Sequence, residues 1–126
     1  MIRRNPELAG RPAILELVPT PLPEAELVAR LFRTLGDATR LRIVELLVDE
    51  GELHQMEIVR RLGASQARVS EHLACLTWCG FVEARTEGRK TLYRVANKRV
   101  RALVAGARRF LDDNQAAIAS CRTVDG

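Results

Sequence analysis

A mainly α-helical domain closed by a β-hairpin is the fold class that this 126-residue sequence predicts. Three observations predict it. Apolar residues recur at helical spacing in four successive segments, the pattern switches to a β-rich one after Gly80, and helical spacing returns after Asn97. Apolar residues make up 47% of the chain but aromatics only 4%, so the core must be built from Leu, Val, Ile and Ala, which suits small packed helices. No run of about 18 apolar residues occurs, which removes a membrane-spanning helix. Residues 1–23 carry basic side chains and repeated Pro but no sustained apolar stretch, so they read as a loose arm, not a signal peptide, on a cytoplasmic protein.

The elements follow in order. Pro21 and Pro23 end the arm, and Glu24 and Glu26 favour a helix start through the dipole. Leu27, Leu31 and Leu35 form a stripe, with Val28 and Phe32 beside them, and Gly36 stops that helix. Asp37 is a good N-cap for a second helix with Leu41, Val44, Leu47 and Val48 on its apolar face. A third helix is expected over residues 54–62, with Gly63 as its stop. Ser65 then caps a fourth that runs to about Cys79 and is closed by Gly80. Residues 81–85 and 91–95 are β-rich, and residues 86–90 make a basic, Gly-containing turn between them. A final helix places Val100, Leu103, Val104, Ala107 and Leu111 on one stripe. The domain is expected over residues 24–113, with a mobile tail over 114–126. The first and last helices carry more apolar face than so small a monomer can cover, which predicts a dimer built from them.

Two helices joined by Leu62-Gly63-Ala64-Ser65, then a hairpin, give the order of a winged helix-turn-helix. Charge follows the same division. Residues 60–109 hold 12 Lys or Arg against 3 acids, while residues 24–59 hold 4 against 8. Charge alone would equally suit a solvated helix surface, but combined with the element order it points to double-stranded DNA. In the fourth helix Val69, Leu73 and Leu76 anchor one face, leaving Gln66, Arg68, Ser70 and His72 as candidates to face DNA. Gln pairs well with adenine and Arg with guanine. Arg85, Arg89 and Lys90 on the hairpin are candidates for phosphate or the minor groove.

The stretch Leu35-Gly36-Asp37-Ala38-Thr39-Arg40-Leu41-Arg42-Ile43 resembles the ArsR/SmtB family of metal-responsive repressors. So do Val69-Ser70-Glu71-His72-Leu73 and Glu87-Gly88-Arg89-Lys90-Thr91-Leu92-Tyr93-Arg94, and the likeness spans about residues 25–111 in the right order. It implies a dimeric repressor that leaves its operator when an inducer binds.

Three cysteines bear on the inducer: Cys75, Cys79 and Cys121. Cys75 and Cys79 lie one turn apart on one face of the fourth helix, where two thiolates can share a soft metal ion. They cannot complete a site alone, and Cys121 in the tail is the obvious third donor. Simple packing of small apolar residues, or a thiol-based redox or persulfide switch pairing either cysteine with Cys121, would use the same residues. Leu73-Ala74-Cys75-Leu76-Thr77-Trp78-Cys79-Gly80 resembles the cadmium/lead-sensing branch of the family. That likeness implies Cys75, Cys79 and Cys121 as ligands, with Cys121 donated across the dimer and Cd or Pb as inducer. Hg or As(III) would suit the same thiolates. The Cys-x-Cys pair of the arsenic-sensing arrangement is missing from the third helix. A zinc site would need His72 beside Cys75 and Cys79, or Asp112 and Asp113, which lack a histidine partner. His54 has no evident partner and is expected to be exposed. Nothing resembles an activated nucleophile, a phosphate-binding loop or a catalytic carboxylate pair, so an enzyme is not expected.

Overall fold

The computed structural model describes residues 22–123. The arm expected over residues 1–23 falls outside them but for its last two residues, as do residues 124–126. The element order is α1 (Glu24–Gly36), α2 (Ala38–Glu50), β1 (Leu53–His54), α3 (Gln55–Leu62), α4 (Gln66–Trp78), β2 (Val82–Glu87), β3 (Lys90–Val95) and α5 (Lys98–Ser120). The strands form an antiparallel sheet in the order β1-β3-β2. This is a mainly helical winged helix-turn-helix.

Side-chain caps set three helix starts. The Asp37 carboxylate accepts the Arg40 N–H at 3.0 Å, Ser65 Oγ accepts the Arg68 N–H at 3.2 Å, and Asn97 Oδ1 accepts the Arg99 N–H at 2.8 Å. Each satisfies a donor that the first helical turn leaves unpaired. Between α3 and α4 the chain reverses at Gly63, whose φ of +68° is left-handed backbone that side chains with a Cβ rarely adopt.

The core is a single cluster. Ile43, Val44 and Leu47 of α2, Ile58 of α3 and Val69, Leu73 and Leu76 of α4 are fully buried. Phe81, Val82, Leu92 and Val95 close it from the sheet, and Val100 and Val104 from α5. At roughly 1.5–3 kcal/mol for each fully buried aliphatic side chain, this cluster is the main stabilising term. The terminal helices contribute little to it. No residue of α1 is buried, although Leu31 and Leu35 pack against the cluster. In α5 only Val100 and Val104 are buried. Two polar links tie α5 to α2 instead: Arg101 donates to the Val48 carbonyl at 2.9 Å, and Arg108 pairs with Glu45 at 3.0 Å and Asp49 at 3.6 Å.

Four expectations need correction. Residues 114–120 belong to α5 and are not tail, because Ala116, Ala117 and Ala119 are strong helix formers on a helix already nucleated. The wing turn is shorter than the five residues expected. Glu87 pairs with Lys90, leaving only Gly88 and Arg89, and Gly88 at φ +62° permits so tight a reversal. The third helix starts one residue later than expected, because Leu53 and His54 pair with Tyr93 and Leu92 as β1. That pairing leaves His54 half-buried, with Nδ1 sealed from solvent and lacking a hydrogen-bond partner among the described residues, where an exposed side chain was expected.

The Arg40 N–H, aided by the Arg40 charge, holds the Asp37 carboxyl below its usual range. A lowered folded-state pKa stabilises the fold above the unfolded value and is lost as pH falls through the folded one. Asp37→Ala is expected to cost about 1 kcal/mol in urea unfolding at neutral pH. The gap from wild type should shrink as pH falls from the usual carboxylate range through the lowered folded-state pKa.

Candidate nucleic-acid interface and thiol site

Helix α4 is held by one face and offers the rest. Burial of Val69, Leu73 and Leu76 fixes its rotation, so Gln66, Ala67, Arg68, Glu71 and Ala74 are exposed. The cap at Ser65 sets where the helix begins, which puts Gln66 and Arg68 in its first turn. Gln66 also lines an open concavity of about 400 Å³ with His54, Gln55, Met56, Glu57 and Arg60 of the α3 side and Arg89, Lys90 and Thr91 of the wing. The structure thus brings Gln66, Arg89 and Lys90 to one place, although Gln66 is more than 20 residues away from the wing tip in sequence. The single acid there, Glu57, forms ion pairs with Arg60 and Arg61, so it does not oppose a polyanion as a bare charge.

Other candidates are more constrained. Ser70 is half-buried, and its hydroxyl accepts from the Gln55 side-chain amide of α3. Arg85 donates from Nε to Glu52 at 2.8 Å and lies 3.0 Å from Glu87. The hydrogen bond to Glu52 raises the Arg85 pKa further above its ordinary value and lowers that of Glu52. His72 does not share the exposed face. Its side chain is only 13% exposed, with Nδ1 at 3.4 Å from the Arg40 guanidinium and Nε2 at 3.9 Å from Asp37. Helical spacing carried a sign of this, since His72 lies three residues after Val69 and four before Leu76, on the anchored side of α4; what spacing does not name is its partner. Arg60, Met56 and Thr91 were missed for a similar reason. They join the concavity through tertiary packing, and only the overall basic excess of residues 60–109 hinted at Arg60.

The thiols sit at the far end of α4. The Cys79 N–H donates to the Cys75 carbonyl at 3.0 Å, so the two residues are one helical turn apart, with Cys75 half-buried and Cys79 exposed. Trp78, the single tryptophan, is 42% exposed beside them. Cys121 caps the C-terminus of α5, its Sγ 3.1 Å from Thr123 Oγ1. Among the described residues no three His, Cys, Asp or Glu side chains are grouped closely enough to hold a metal ion, so one chain brings together two of the three thiols and not the third. Two thiolates a turn apart match the donor chemistry of a soft ion but leave its coordination incomplete.

Comparison with known proteins agrees with this architecture. Residues 37–84 match the model of the family described as bacterial regulatory protein, arsR family. The chain is 42% identical over 123 residues to a probable mercury resistance operon repressor of Streptomyces lividans, covering 98% of this chain and 95% of that protein. Among solved structures, Rv0081 of M. tuberculosis superposes with a TM-score of 0.72 at 30% identity, over 79% of this chain and all of that one. The homodimeric winged helix-turn-helix domain Mb0332 of Mycobacterium bovis, a possible ArsR-family regulator, gives a TM-score of 0.63 at 30% identity, covering 90% of this chain and 92% of that one. With the α3–α4 unit, the basic wing and a near full-length relative in agreement, the chain belongs to the ArsR family of bacterial transcriptional regulators.

Proposed function

We propose that this protein is a repressor that binds operator DNA as a homodimer and releases it when cysteine thiolates capture a soft divalent metal ion. The observation that carries the reading is the placement of Cys75 on α4 and Cys79 at its C-cap, about two to nearly four turns beyond Gln66 and Arg68. Reading and sensing then share one helix. Gln66 and Arg68 would meet base edges, while Arg89 and Lys90 would meet phosphate. Ser70 would act with its Gln55 partner, and Arg85 would contribute field more than contact.

Cys75 and Cys79 would supply two thiolates, and the partner subunit's Cys121 the third. Cadmium or lead fits three thiolates on softness grounds, and the name of the Streptomyces relative makes mercury an equal contender. When bound, such an ion supplies a crosslink between the end of α4 and the end of α5. Because each α5 is tied to the α2 of its own chain through Arg101 and Arg108, a crosslink from α4 to the partner's α5 would load the partner's α2 and couple the two reading heads. A hundredfold loss of DNA affinity requires about 2.7 kcal/mol of preference for the DNA-free state, an ordinary coupling energy.

The dimer rests on apolar surface. Leu27, Val28 and Phe32 of α1 and Phe110, Leu111 and Ile118 of α5 are 40–64% exposed, far more than the core residues between them. Phe32→Glu and Phe110→Glu are each expected to convert a dimer into monomer by light scattering. A dimer mass that persists in both would remove the terminal helices from the interface.

Titrating the reduced protein with Cd(II) should produce a thiolate-to-metal charge-transfer band in the ultraviolet that saturates at one ion per protomer. The band should shrink in Cys75→Ser and in Cys121→Ser, and Trp78 fluorescence should change in parallel. No band would sink the metal reading and make cysteine oxidation the next thing to measure. Competition with Hg(II) and Pb(II) on the same band ranks the candidate inducers.

A further inference from the structure

Among the side chains that the functional reading leaves without a task, one polar junction stands out. Arg40, the third residue of α2, makes three separate connections. Its backbone N–H donates to the Asp37 carboxylate at 3.0 Å, its Nε donates to the Thr34 carbonyl in the last turn of α1 at 2.7 Å, and one terminal nitrogen lies 3.4 Å from His72 Nδ1 in the middle of α4. His72 Nε2 lies 3.9 Å from the same Asp37 carboxylate. A single arginine therefore joins the cap of α2 through its backbone N–H, and the end of α1 and the reading helix through its guanidinium.

We propose that His72 is a positioning residue for DNA recognition, and that it acts through Arg40 and Asp37 without touching DNA. The proposal rests on the DNA-binding reading of α4 given above. Arginine carries only donors, so the contact with Arg40 needs the lone pair of a neutral Nδ1, which leaves the Nε2 proton directed toward Asp37. A histidine hydrogen-bonded to Arg40 through Nδ1, with Nε2 facing Asp37 at 3.9 Å, is restricted in rotation, and it restricts α4 with it. The apolar anchors of α4 set which face points out. They are side chains without directional bonds, and they tolerate small slides along the helix axis far better than a hydrogen bond does. The Thr34–Arg40–His72 link is also a polar route from a terminal helix to the reading helix. In a two-fold dimer, the spacing between the two reading helices decides whether both half-sites are met.

The test uses the full-length protein and a fluorescent duplex enriched by the wild type from a random-sequence pool, with affinity read by anisotropy at several salt concentrations. Each variant is first checked for its circular dichroism, dimer mass and urea midpoint, and binding is compared only where it is folded. His72→Leu should bind about tenfold or more weakly at every salt concentration, the scale of one hydrogen bond to a charged group. Its slope of log affinity against log salt should be unchanged, because no phosphate contact is lost. His72→Asn, which keeps an acceptor near the position of Nδ1, should stay within about threefold of wild type. Arg40→Met should lose as much as His72→Leu, and the double variant should be no weaker than the weaker single, the mark of one shared interaction.

A slope reduced by about one unit in His72→Leu would make His72 a phosphate contact and overturn the proposal. So would equal loss in the Asn and Leu variants, additive losses in the double variant, or full affinity in His72→Leu. If His72→Leu does not fold, the Asn variant and Arg40→Met carry the same comparison. Wild-type protein that enriches no duplex would remove the DNA-binding reading itself, and the proposal with it.

Discussion

Everything this molecule offers to a ligand is set by how α4 is seated. Val69, Leu73 and Leu76 are spaced three to four residues apart, so burying them against Ile43, Val44, Leu47 and Ile58 fixes the helix at one rotation. Truncating any of them would leave a cavity worth several kcal/mol, a large part of a small domain's stability. What remains outside the core is then not a free choice. The first turn presents Gln66 and Arg68, the last turn presents Cys75 and Cys79, and the side between them carries His72 toward α2. A helix that is rigid in this way can read at one end and be acted upon at the other.

Around that seat, apolar and polar forces divide the work. The centre is held by aliphatic burial, and no buried polar or charged residue occurs among the described ones. The periphery is held by arginines: Arg40 at the α1–α2–α4 junction, Arg101 and Arg108 along α2, Arg85 and Arg94 on the sheet. The exposed pairs among them contribute little net stability each, since water and salt screen them, whereas the Arg40 contacts are part-buried. Their value lies in direction. Five donors in a planar fork constrain how two elements lie against each other more closely than methyl groups can.

Much of this was legible in the sequence, for identifiable reasons. Caps and stops are local chemistry, so Asp37, Ser65, Gly63 and Asn97 announced their helix ends. The winged helix-turn-helix order needed only short-range patterning and a count of charges. What stayed hidden depends on contacts between distant residues or on context. Two residues of β1 are too few to show a period, and their pairing partners lie about 40 positions away. The end of α5 was hidden because only Ile118 carries the apolar stripe past Leu111, and polar Asp112, Asp113, Asn114 and Gln115 interrupt it. His72 was grouped with the candidates to face DNA because it shares their helix, although its spacing from Val69 and Leu76 turns it inward; its partner Arg40 depends on tertiary position. The thiols divide in the same manner: the Cys75–Cys79 pair follows from helical spacing, while the whereabouts of Cys121 relative to them depends on an assembly of chains.

Helix α1 leans on the domain through Leu31, Leu35 and the Arg40 bond to the Thr34 carbonyl, and buries no residue of its own. Its order is thus partly borrowed from whatever covers Phe32 and Val28. If a second copy does so, α1 is ordered by mass action, and its backbone amides are shielded only as far as the protein is concentrated enough to pair. A cell holding few copies of such a protein would contain chains whose central helices are formed while the first one frays. The abundance of the regulator would then set how many competent readers exist before any inducer arrives.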